Sequence, residues 1–131
     1  MSEKSTGEVA KDEVVFAHEN REVWQEAIDL AKNVYRITDS FPNHELFGLT
    51  GQLRRAAVSV SCNIAEGKGR HHPKEFVQFL YVARGSLYET LALLRLSSEL
   101  GFLSGEGHSA LRGKSAVIGR KLNGLINSLK K

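Results

Sequence analysis

Four stripes of apolar residues at helical spacing run through the chain, separated by short clusters of turn residues. In the first, Trp24, Ala27, Ile28, Ala31, Val34, Tyr35 and Thr38 recur at three- and four-residue steps, one face of a helix beginning near Glu22. Asp39-Ser40-Phe41-Pro42-Asn43 closes it, because the residue before a proline is steered away from helical angles. The second stripe is Leu49, Leu53, Ala56, Ala57, Val60, Ile64 and Ala65, with the small residues Ser59, Ser61 and Cys62 on its other faces. Gly67-Lys68-Gly69-Arg70 supplies its stop.

Pro73 suits a first helical turn, and Lys74 to about Leu100 reads as the longest helix, ended by Gly101. Phe76, Leu80, Ala83, Leu87, Leu91 and Leu94 form its seam, while Phe79, Val82, Tyr88, Ala92 and Leu96 lie on other faces. A helix apolar around so much of its girth is central or touches two partners. The last stripe, Leu111, Ser115, Ile118, Leu122, Leu125 and Leu129, has Lys114, Arg120, Lys121 and Lys130 opposite it. No run alternates as a strand would. The expected fold is all-α, an antiparallel up-and-down four-helix bundle over residues 16–131. Residues 1–15 are polar without a stripe and read as a flexible arm.

Composition changes this picture little. A chain of 131 residues makes one domain whose core needs no disulfide or metal. The single cysteine, Cys62, sits among small residues and is expected to be packed. With one thiol and no apolar export segment at the N-terminus, the cytoplasm is the expected compartment.

Charge is more informative in its distribution than in its sum of +3. Residues 1–47 hold five Lys/Arg against ten Asp/Glu, and residues 48–74 five against one. Residues 75–103 hold two against three, and residues 104–131 six against one. Two basic segments therefore stand out. Lys68, Arg70 and Lys74 of the first, with Lys114, Arg120, Lys121, Lys130 and Lys131 of the second, are the candidate contacts to RNA or DNA. Read without that function, they are solvated faces of helices and a loop.

Candidate chemistry is sparse. His71-His72 beside this basic loop lacks further ligands and makes a poor metal site, so neither metal nor cofactor is expected. Glu66 has no His, Cys or Ser partner in view, and no catalytic residue is assigned. Asn63 and Glu66 share a helix face, with Arg70 in reach of Glu66. Arg54 and Arg55 point about 100° apart, one toward the bundle or a subunit seam and the other to solvent. Arg84 is expected to pair with Glu89, Glu66 or Glu99, and Gly85 to admit a close helix. Trp24, Phe76, Phe79 and Tyr81 read as core or interface, without the basic–aromatic interleaving of single-strand binders.

Several segments together carry a resemblance. They are LTGQLRRAAVSVSCNIAEGKGR over Leu49–Arg70, Phe41-Pro42, EFVQFLYVARGSLYE over Glu75–Glu89, and the turn Leu100–Leu103. The chain resembles, from about Val23 to Leu129, the four-helix-bundle proteins encoded in intervening sequences of bacterial 23S rRNA genes. That resemblance implies the bundle fold and a ring-shaped homopentamer, and supplies no activity. A more distant likeness, of fold and charge, is to the accessory proteins of diversity-generating retroelements, which bind nucleic acid and a reverse transcriptase. The expected function is thus a non-catalytic, oligomeric, nucleic-acid-associated bundle. The alternative is a scaffold or adaptor for a protein partner such as a reverse transcriptase.

Overall fold

The computed structural model describes the backbone of residues 3–131 and the side chains of residues 16–131. The arm expected over residues 1–15 lies outside the described residues except for its backbone, which is helical from Glu3. Four α-helices follow one another: α1 (Glu3–Thr38), α2 (Leu49–Lys68), α3 (Pro73–Glu99) and α4 (Gly105–Lys130), with a 3-10 turn at Asn43–Glu45. No described residue is in a strand.

Each helix packs chiefly on two others, α1 on α2 and α4, and α3 on α2 and α4; across the diagonal, α1 reaches α3 where Phe16 meets Phe76. Lys121 of α4 meets Glu22 and Glu26 of α1, while Lys114 lies beside Asp29 and Gly124 beside Glu19, so the first and last helices also run antiparallel. The bundle is up-down-up-down, as the four stripes predict.

The core is aliphatic. Val23, Leu30 and Val34 of α1, Leu53, Val60 and Ile64 of α2, Leu80, Leu87 and Leu94 of α3, and Ile118, Leu122 and Leu125 of α4 are all but inaccessible to solvent. Burying each such side chain contributes about 1.5–3 kcal/mol. The stripes of α2 and α4 fall where expected, apart from Ala65, which is exposed. In α1 the phase is shifted: Val23, Ala27, Leu30, Ala31 and Val34 are buried, while Trp24 and Tyr35 stand at the flank, 36% and 47% exposed. Indole and phenol rings bury one side and keep the other in water, so their spacing alone misplaces the centre of the face. The helix also starts well before Glu22, with Phe16 edge-on to Phe76 (5.9 Å between ring centroids) and Asn20 buried.

The turns have local causes. Ser104 caps α4 by accepting a hydrogen bond from the Gly107 N–H (3.0 Å). Gly101, at φ 79°, ends α3. There the Phe102 N–H bonds Ser97 C=O and the Gly101 N–H bonds Ser98 C=O, satisfying carbonyls the helix would leave open. Between α2 and α3, Gly67 lets the phenyl rings close: a Cβ there would lie 2.9 Å from Phe76 Cδ1 and Phe79 Cβ. Phe41 and Phe102, 5.7 Å apart, bring the α1–α2 and α3–α4 connections together at the opposite end.

Candidate nucleic-acid interface

The antiparallel order places the α2–α3 turn and the C-terminus of α4 at one end of the bundle. Lys68 sits in the last turn of α2, Arg70 in the turn, Lys74 in the first turn of α3, and Lys130 and Lys131 close α4. All five are exposed. Lys130 Nζ donates to Tyr81 Oη (3.2 Å), which ties the end of α4 to the third turn of α3. Lys68 points the other way, toward Arg21 and Trp24 of α1. Arg70 is partly committed: its guanidinium holds Glu66 at 2.6 Å and lies 4.8 Å over the Phe79 ring.

The other three candidate cations do not join them. Lys121 is half-buried in the α1–α4 seam and hydrogen-bonded by both Glu22 and Glu26. These bonds raise the Lys121 ammonium above its ordinary pKa, and the same hydrogen bond, with the Lys121 charge, holds the Glu22 carboxyl low. An ammonium held by two carboxylates is not free to neutralise phosphates, so Lys121 leaves the candidate set. Lys114 borders the same acidic seam beside Glu26 and Asp29, with sixteen residues of helix, about 24 Å, between it and Lys130. Arg120 is exposed on the middle of α4.

The polar motif residues hold the helices together. Arg54, mostly buried, donates through Nε to Thr38 Oγ1 (2.8 Å) and through Nη2 to Asp39 (3.3 Å), and covers the Tyr35 ring at 4.6 Å. It clasps the end of α1, while Arg55 faces solvent. Asn63 donates to the carbonyl and hydroxyl of Ser59, whose Oγ meets Ser86 Oγ at 2.8 Å across the α2–α3 interface.

Three expectations are corrected. Arg84 takes no carboxylate among the described residues: it donates to Asn123 Oδ1 (3.0 Å) and lies over Tyr81 and Tyr88. Glu99 pairs with Arg95 instead, and Glu89 is exposed. Among the described residues a Cβ on Gly85 would meet nothing within 4 Å, so no described helix of the chain approaches it. Cys62 is exposed, because the α2 surface it shares with Ala65 turns away from the core.

The structure also shows basic–aromatic pairs that the linear spacing conceals. Tyr81 lies between Arg84 (4.8 Å) and Lys130 (5.9 Å), the latter brought in from 49 positions away. Among the described residues no group of three His, Cys, Asp or Glu side chains is arranged to hold a metal ion. No helix among them is long and apolar enough to cross a membrane.

Comparison with known proteins gives the same fold. A family model described as 23S rRNA-intervening sequence protein matches residues 19–124. No curated protein matches the chain. A crystal structure from Bacteroides thetaiotaomicron, of a protein of unknown function from the S23 ribosomal protein family, superposes with a TM-score of 0.77 at 20% identity. The match covers 83% of this chain and 98% of that one.

Proposed function

Since this chain belongs to the 23S rRNA-intervening sequence protein family, we propose that it is a non-catalytic bundle that associates with nucleic acid through its basic end and acts as a homo-oligomer. The observation that carries this reading is the gathering of Lys68, Arg70, Lys74, Lys130 and Lys131, drawn from two distant segments, around one end of the molecule. Exposed cations on a rigid end grip phosphates without reading bases.

Assembly is what would make such a surface effective. One protomer at +3 holds a polyanion weakly, whereas five copies would carry a formal +15 and bind with linked contacts. Support for assembly comes from the large apolar side chains left in water: Leu46, Phe47, Val82, Tyr88, Leu96 and Leu100 are each 46–92% exposed. Where such side chains gather into one patch they mark an interaction surface. The same residues support a second reading, a scaffold for a protein partner such as a reverse transcriptase.

Gel-shift titration of RNA at two salt concentrations tests the proposal. Binding is expected to be indifferent to base sequence and to weaken steeply with salt. The variant K68Q/R70Q/K74Q is expected to bind more weakly at unchanged oligomer mass. No shift for the wild type at low salt would leave the protein-scaffold reading.

A further inference from the structure

A groove of about 370 Å³ runs between α1 and α2, away from the tip of the basic end but sharing Lys68 with it. That volume is in the range of small-ligand sites. Ile64 and Trp24 give it apolar walls, and the amides of Asn20 and Gln25 also line it. Asn20 is 2% exposed, yet its Oδ1 finds no hydrogen-bond partner among the described residues. A buried carbonyl oxygen without a donor is costly, and native chains keep few of them. Among the described residues no hydrogen bond calls for the Asn20 oxygen, and a leucine there would extend the run of Val23, Ala27 and Leu30.

The three kinds of group here ask for one kind of ligand. The Asn20 oxygen, closed to solvent behind the groove wall, wants an N–H donor, and side-chain movement at the wall must admit it. The Trp24 indole, 36% exposed, offers a face for a flat ring. Arg21 and Lys68, both exposed at the rim and paired with no carboxylate among the described residues, want an anion. A base joined to a phosphate meets all three requirements. A sugar brings no charge, a fatty acid no N–H, and a duplex hides both the ring face and the pairing edge of its bases.

We infer that the α1–α2 groove holds a single unpaired nucleotide: its base stacks on Trp24 and donates an N–H to Asn20, and its phosphate meets Arg21 and Lys68. The inference rests on the nucleic-acid reading above and adds a preference for single strands that the basic end alone lacks. A strand leaving the groove at Lys68 runs on toward Arg70 and Lys74.

Trp24 is the chain's only tryptophan, so its fluorescence reports the groove alone. The full chain is titrated with a short oligoadenylate, a duplex RNA of equal phosphate number, and free adenosine monophosphate. The single strand should quench Trp24 saturably and the duplex should leave it unchanged while still shifting on a gel. In gel shifts, Trp24→Ala should weaken the single strand about tenfold or more, the usual scale for losing one stacked base. Asn20→Leu and Arg21→Gln should each weaken it severalfold and leave the duplex shift as it was. Arg21→Gln alters only an exposed side chain and so keeps the test valid should the core variant fold poorly. Quenching by the monophosphate at the same concentration as the oligomer would assign the groove to a free nucleotide; quenching by the oligomer alone assigns it to a strand. Equal gel shifts for single strand and duplex, with Trp24 emission unmoved, would overturn the groove and leave the basic end standing. No shift with either RNA would overturn both.

Discussion

At one end of the bundle the α2–α3 turn and the tip of α4 carry Lys68, Arg70, Lys74, Lys130 and Lys131. At the other, the connection before α2 and the last turns of α3 leave Leu46, Phe47, Leu96 and Leu100 in water. Two of the cations have a structural reason to be where they are: Lys68 and Lys130 stand in the last turns of α2 and α4, where the helix dipoles favour positive charge. Phe47, 92% exposed, has no such reason within the protomer. The apolar end is thus the stronger sign of a contact made outside this chain, and in the assembly proposed above that contact would multiply the basic ends.

The largest expected effect separates the two ends by mass. Light scattering of the wild type should give several times 14.5 kDa, and Phe47→Asp should return it toward the protomer value. Because Phe47 is so exposed, its replacement should change the stability of the fold itself by only about 0.5 kcal/mol or less. A wild-type protomer in solution would remove the oligomer from the account.

Two glycines sharpen the contrast. Gly67→Leu drives a side chain into Phe76 and Phe79 and should destabilise the chain by about 1–3 kcal/mol or more, read as a lower denaturant midpoint. Gly85→Ala meets open space and should stabilise α3 by up to about 1 kcal/mol through helix propensity. If Gly85→Ala instead lowers the mass in light scattering, the outer face of α3 beside Val82 and Tyr88 is covered in the assembly.

The smallest effect lies between the ends, at Lys121. The Glu22 carboxyl is lowered by Lys121, so its contribution to stability is present above the ordinary carboxylate range and is lost as pH falls through the lowered value. Lys121 is raised, so its own contribution is present below the ordinary lysine range and is lost as pH rises through the raised value. Lys121→Met should therefore flatten both the acid and the alkaline limbs of Tm against pH by a small amount, while RNA binding near neutrality stays as it was. Weakened RNA binding would return Lys121 to the interface.

How far the sequence reaches differs between fold and site for physical reasons. Helix spacing and turn chemistry are local, so four helices and their order are legible, as are the cores of α2 and α4. The phase of α1 is not, because the amphipathic rings of Trp24 and Tyr35 mark a face centred away from Val23 and Leu30. Nor is the start of α1, where Phe16 and Asn20 are fixed by packing against other helices. In the site, the local cluster Lys68, Arg70 and Lys74 is visible as a string. The fate of Lys121 depends on carboxylates 95 and 99 positions away, and the setting of Tyr81 on Lys130 from 49 positions away. No spacing rule reaches those distances. Gly67 and Gly85 look alike in sequence, and only the neighbouring rings distinguish them.

The measurement that bears most directly on the basic end is the salt dependence of RNA affinity for the wild type, K68Q/R70Q/K74Q and Phe47→Asp. Each phosphate contact adds roughly 0.7–0.9 to the slope of log affinity against log salt. The wild type should show a steep slope. The triple variant should lose roughly two units per protomer engaged, on that scale, with its mass unchanged. Phe47→Asp should bind weakly because its basic ends are no longer linked. A slope that is the same for the wild type and the triple variant would contradict the assignment of phosphate contacts to this end of the bundle.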